Sequence, residues 1–155
     1  MSLQPLPDSG AARPAPSLLY AIKQVELAVR AHLDELLRPA GITALQYTAL
    51  TVLDRRAGLT TAELARNSFV TPQAMGDLVT ALERRGLIER RHDPAHRRRL
   101  LISLTGPGQE LLAAFAEPVE RLENRMVSDL APDERTAFAG YLNRSRAALA
   151  TQPAH

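Results

Sequence analysis

Apolar positions step along the early chain at intervals of three and four: Leu18, Ile22, Val25, Val29, Leu33 and Leu36 fall on one stripe. That period predicts an amphipathic helix over about Ser17 to Arg38, closed by Pro39 and Gly41. Three further helix starts share one device. Thr43 stands three residues before Gln46 as a capping box, with Ile42 and Tyr47 spaced as a hydrophobic staple. Thr60 repeats the box with Glu63, and Leu59 with Leu64 repeats the staple. Thr71 caps the third start, Pro72 fits its first helical position, and Val70 pairs with Met75. Gly58 and Gly86 stand where left-handed helix stops are wanted. Helices are therefore expected over about Ala44–Arg56, Thr61–Asn67 and Pro72–Arg85, with a tight turn at Ser68–Val70. A short helix, a turn and a longer capped helix make a helix-turn-helix.

After Gly86 the period falls to two. Leu87–Arg91 and Leu100–Thr105 are short β-prone runs around a charged tip, with Leu100, Ile102 and Leu104 facing one way. Such a hairpin is marginal alone and must lie against the helices. A second long helix is expected from about Pro107 towards Asp129, with Leu111, Leu112, Phe115, Val119, Leu122 and Met126 on its apolar side and a bend or break at Pro118. Asp133 to Leu149 forms the last. The expected fold class is mainly α: a winged helix-turn-helix core with a two-stranded β wing, flanked by long N- and C-terminal dimerisation helices. Residues 1–16, with four prolines, read as a disordered arm. Residues 17–41 form the N-terminal dimerisation helix, 42–105 the winged core, 106–150 the C-terminal dimerisation helices, and 151–155 a disordered tail. The outer stripes exceed what a compact winged core can cover, so a two-fold homodimer is expected.

The chain has 155 residues and no cysteine, which suits one domain and excludes disulfides and thiolate metal sites. No apolar run is long enough to cross a bilayer, and no signal-peptide pattern leads the chain, so a cytoplasmic protein without membrane partners is expected. Net charge is only +2, but its distribution is uneven. Seven arginines against two acids lie between Arg84 and Arg99, while seven acids against two arginines lie between Gln109 and Glu134. A basic middle beside an acidic section is a footprint of the kind that meets phosphates.

Met75, Leu78, Val79 and Leu82 claim the core face of the Pro72–Arg85 helix. The opposite face offers Thr71, Gln73, Ala74, Gly76, Asp77 and Thr80, small or polar side chains that suit a major groove. Gln73 is the candidate adenine reader and Ala74 a contact for a thymine methyl. Thr71 serves first as the cap. Asp77 is placed to pair with a nearby arginine more readily than to accept from cytosine. At the wing, Arg97 is the candidate for the minor groove, where narrow A·T tracts attract arginine, with Arg98 beside it. Arg90 and Arg91 are expected to supply one phosphate contact and one partner for Asp93. Binding of double-stranded DNA is the function these features point to. A winged helix used for protein or non-specific nucleic-acid contacts is the alternative. His92, Asp93 and His96 lie close together, but Pro94 and the crowding arginines argue against a metal there. No nucleophile motif or phosphate-binding glycine loop appears, so neither catalysis nor a cofactor is expected.

The run from Leu82 to Arg98, L-x-x-x-G-L-I-x-R-R-x-D-P-x-x-R-R, closing on Leu104 and Thr105, resembles the MarR family (multiple antibiotic resistance regulators), and the likeness extends over about Leu18 to Leu149. It implies a triangular homodimer regulating transcription, usually by repression, from a pseudo-palindromic operator. Gln73 and Ala74 would fall on its reading face and Arg97 at its wing tip. The family wing often carries a second aspartate where this chain has His96; that aspartate usually braces the wing arginine, so the resemblance implies either a looser tip here or Asp93 in its place. The likeness also implies a small aromatic or anionic effector bound between dimer base and reader. Tyr20, His32, Tyr47, Arg55 and Phe115 are the candidate lining residues from position.

Overall fold

A computed structural model describes residues 17–68 and 70–150; the expected arm, the tail and Phe69 lie outside them. Hydroxyl side chains open five of the helices. Ser17 accepts from the Tyr20 N–H (3.2 Å) ahead of α1 (Leu18–Leu37), and Thr43 and Gln46 form a reciprocal capping box on α2 (Ala44–Arg55). Thr60 and Glu63 exchange bonds at the start of α3 (Thr61–Ser68). Thr71 accepts from Ala74 N–H at α4 (Pro72–Arg84). Thr105 does the same from Gly108 for α5 (Gly106–Met126), and α6 spans Pro132–Ala150. Each cap satisfies a donor that would otherwise be orphaned in the first turn.

The spacing-derived boundaries move by one to three residues, the most at the end of α5, as frayed helix ends do. A 3-10 turn over Arg38–Ala40 finishes α1, and Gly41 turns back at φ 68°. Thr105, expected at the end of a strand, leaves it to cap α5. The expected disruption at Pro118 does not break α5, which runs through it. Proline removes one donor, but the carbonyl it orphans belongs to Ala114, on the exposed face, where water satisfies it at little cost.

The core sits among α2, α3, α4 and the hairpin. Leu50, Leu64, Met75, Val79, Leu82 and Ile102 are wholly buried in it. The three staple pairs contribute Ile42, Tyr47, Leu59, Leu64 and Met75 to that same cluster, with Val70 packed at its edge. β1 (Ile88–His92) and β2 (Leu100–Leu104) pair antiparallel, Arg90 opposite Ile102. A bridge between Leu59 and Ile102 pins β2 to the segment that leads into α3, so the hairpin rests on the helices as its marginal stability requires. Arg85 donates to the carbonyls of Gly41 (2.9 Å) and Ala40 (2.6 Å), clamping the end of α4 to the corner before α2.

The outer helices are covered far less. α6 has no buried residue, and Leu18, Leu19, Ile22 and Val25 of α1 and Tyr141, Leu142 and Leu149 of α6 are all exposed. The apolar stripes exceed what the described residues of one chain cover.

Candidate nucleic-acid interface

The N-terminal end of α4 projects from the core. Met75, Val79 and Leu82 point inward, which by helical geometry turns Thr71, Pro72, Gln73, Ala74 and Asp77 to solvent. This exposed patch is free of bulky side chains, as insertion into a groove requires. Thr71 spends its oxygen on the cap, as expected. Thr80 is half-buried and donates to the Gly76 carbonyl (3.0 Å), so it lies at the rim of the patch with its hydroxyl already engaged. Asp77 forms no ion pair among the described residues, contrary to expectation. Its neighbours at helical spacing are Gln73, Ala74, Thr80 and Ala81, none of them basic.

The wing tip is closed by its own backbone. Asp93 N–H donates to the Arg99 carbonyl (2.9 Å), His96 N–H to Asp93 (3.2 Å), and Arg99 N–H to His96 (2.8 Å). The His92 ring, through Nδ1, meets the Arg97 carbonyl at 2.8 Å; since a carbonyl only accepts, Nδ1 carries the proton there. Arg97 and Arg98 are exposed, and neither forms an ion pair among the described residues. They are the side chains the tip offers to an anion.

The other wing arginines are committed. Arg90 shares the inner face of the hairpin with Ile102 and donates through Nε (3.0 Å) and Nη2 (2.9 Å) to Glu83 of α4. That fork holds the Glu83 carboxyl below its usual range, the Arg90 hydrogen bond being the main cause. Arg90, expected to touch DNA, is thus engaged by a carboxylate of its own chain in a bidentate pair. Arg91 pairs with Glu89 (3.0 Å) on the outer face. Neither takes Asp93, whose Oδ1 accepts from the Ala95 N–H (2.9 Å) within the turn. Asp93 does not replace the missing aspartate as a brace. Arg99, for which no role was expected, reaches Glu63 of α3 at 3.1 Å.

Neither of the clefts lined by His32 and Arg55 takes in all five candidate effector residues. Tyr20 is exposed on α1. Tyr47 lies in the core, its hydroxyl pKa pushed up by burial. Phe115 packs half-buried against that core. His32 lines a cleft of about 230 Å³ between α1 and α5 with Val25, Val29, Leu122 and Arg125. Arg55 lines a separate groove of about 790 Å³ with Arg56, Arg66 and Arg146. No group of three His, Asp or Glu among the described residues is placed to hold a metal, and no described helix is long and apolar enough to cross a membrane.

Comparison with known proteins adds to this geometry. The MarR family model matches residues 40–99. The HTH-type transcriptional repressor Rv2887 of Mycobacterium tuberculosis is 31% identical over 135 residues, 87% of this chain and 96% of its own. Among solved structures, the transcriptional repressor CouR bound to a 23-mer DNA duplex superposes with a TM-score of 0.76 at 30% identity, over 84% of this chain and 92% of its own. The MepR–DNA complex of Staphylococcus aureus superposes with a TM-score of 0.77 at 27% identity, over 87% of this chain and all of its own.

Proposed function

This chain belongs to the MarR family, and from that premise we propose that it acts as a homodimer that represses transcription by reading a pseudo-palindromic operator. The observation that carries the reading is the pairing of two free surfaces on one compact core. The exposed end of α4 offers Gln73 and Ala74, and the wing tip offers Arg97 and Arg98, neither of which pairs with an acid among the described residues. A recognition helix supplies base contacts in the major groove, while tip arginines enter the adjoining minor groove. CouR and MepR hold duplex DNA with the same fold.

The exposed apolar faces of α1 and α6 support the dimer. Joined by them, two chains present two α4 helices on one side, and half-sites about one helical turn, ~34 Å, apart fit both at once. The clefts beside α1 and α6 are where an effector would act, by binding one spacing of the two helices more tightly than the other. Their arginines, Arg125 in one and Arg55, Arg56, Arg66 and Arg146 in the other, suit an anionic effector.

Selection of bound fragments from random duplex DNA, repeated at two salt concentrations, tests the reading. The expected result is enrichment of an inverted repeat with one-turn spacing at both. Recovery of sequence-independent fragments alone at both salts would contradict it.

A further inference from the structure

Glu63 serves two structures with one oxygen. Its Oε1 accepts from the Thr60 hydroxyl (2.8 Å) and from the Thr60 N–H (3.4 Å), which closes the cap of α3. The same atom accepts from Arg99 Nη2 (3.1 Å), which arrives from the wing. These contacts hold the Glu63 carboxyl below its usual range, the Thr60 hydrogen bonds first and the nearby Arg99 and Arg66 charges after them.

Arg99 is the hinge between the free tip and the anchored strand. Its backbone carries two of the bonds that close the tip, and it directly follows Arg97 and Arg98. Three residues later Ile102 exchanges backbone bonds with Leu59 (2.7 and 3.3 Å) at the entry to α3. Beyond the packing of Ile102 in the core, polar contacts among the described residues hold the outgoing strand to the helix-turn-helix at two places, by backbone at Ile102 and by charge at Arg99. Only the second hold lies at the tip end. Within the tip, the one carboxylate, Asp93, is engaged with Ala95 and holds no arginine.

We infer that the Glu63–Arg99 pair sets the angle at which the wing presents Arg97 and Arg98, which makes Glu63 a positioning residue for minor-groove preference although it touches no DNA. The inference rests on the duplex-reading function proposed above. Simple electrostatics gives the opposite sign: deleting an acid near phosphates raises affinity and leaves base preference alone. That opposition makes the pair testable.

Two variants of the full chain separate the possibilities. Glu63→Gln keeps the capping box, because glutamine fills the same role, but removes the charge that holds Arg99. Arg99→Gln leaves the cap untouched. Affinity is measured for two duplexes that differ only in carrying A·T or G·C pairs at the flanking step the wing reaches, located beforehand by hydroxyl-radical footprinting. The expected result is that both variants lose about five-fold or more of the A·T preference, the size of one base-level contact, while discrimination at the positions read by α4 is unchanged. Tighter binding of Glu63→Gln to both duplexes with the preference intact overturns the inference. So does uniform weakening by Arg99→Gln alone, with a shallower salt dependence, which marks Arg99 as a plain phosphate contact. If the unaltered chain binds neither duplex, the proposed function itself falls; if it prefers A·T and the variants do too, only the positioning role falls.

Discussion

Arg90 of β1 grips Glu83 of α4 with both Nε (3.0 Å) and Nη2 (2.9 Å), so the strand that enters the wing is fastened to the far end of the recognition helix. Six residues, the Gly86 turn among them, separate the two. The pair therefore exists only when helix, turn and hairpin are all in place, and it reports on their assembly.

A pH dependence follows from that geometry. Glu83, Glu63 and Glu26 all have folded pKa values held below the ordinary carboxylate value, led by hydrogen bonds from Arg90, Thr60 and Arg30 respectively. Stability from a lowered carboxylate is present above its unfolded pKa and is lost as pH falls through the folded one. The melting temperature is thus expected to hold through neutral pH and to decline below about pH 4.3. Glu83→Gln should flatten part of that acid decline. An identical acid limb in thermal melts of the variant would contradict the role of the pair.

Close packing predicts an intolerant glycine. A Cβ on Gly108 would collide with the Leu87 carbonyl oxygen and lie 3.1 Å from Leu104 Cδ2. Alanine is the better helix former, but a clash with backbone cannot be relieved by a rotamer change. Gly108→Ala should therefore destabilise the chain by about 1–3 kcal/mol, seen as a lower denaturant midpoint. An unchanged or raised midpoint would mean that the start of α5 can move away from β1.

Much of the fold was legible because it is written locally. Hydroxyl caps, the Thr43–Gln46 box, the staples and Gly58 and Gly86 act within five residues, and each stands where spacing placed it. The exposed face of α4 was legible for the same reason, since Met75, Val79 and Leu82 fix which face remains. The roles of Arg90 and Arg99 were not. Their partners Glu83 and Glu63 are brought to them by strand register and by the packing of β2 on α3, which no local period encodes. Asp93 was assigned an arginine because it lay nearby in sequence, yet the turn uses its oxygen for Ala95. Which residues line one cleft was not legible, because the clefts at His32 and Arg55 are formed between helices distant in sequence.

The uncovered faces predict an assembly. Ile22 lies 51% exposed on α1, on the stripe expected to meet a second copy. Ile22→Glu should convert the dimer to a monomer, because a carboxylate buried at an apolar interface costs far more than the contact supplies. Sedimentation of the variant checks this, and a dimer unchanged in stability would place the interface elsewhere.

Salt dependence tests the wing. Each phosphate neutralised contributes about −0.9 to the slope of log affinity against log salt. Arg97→Ala removes one cation per chain from the groove and its phosphate walls, so the dimer's slope should become shallower by up to about 2, together with a loss of A·T preference. Gln73→Ala should leave the slope alone and relax preference at one base pair of each half-site, by about 1–3 kcal/mol. Equal slopes for Arg97→Ala and the unaltered protein would remove Arg97 from the interface.

The most direct test is the mass of the complex in solution, by sedimentation velocity, on a duplex carrying the selected inverted repeat. The expected species contains two chains on one duplex, with no appreciable single-chain complex as protein is added. A complex of one chain per duplex, or free duplex persisting beside excess protein at low salt, would contradict a dimer that seats two recognition helices together.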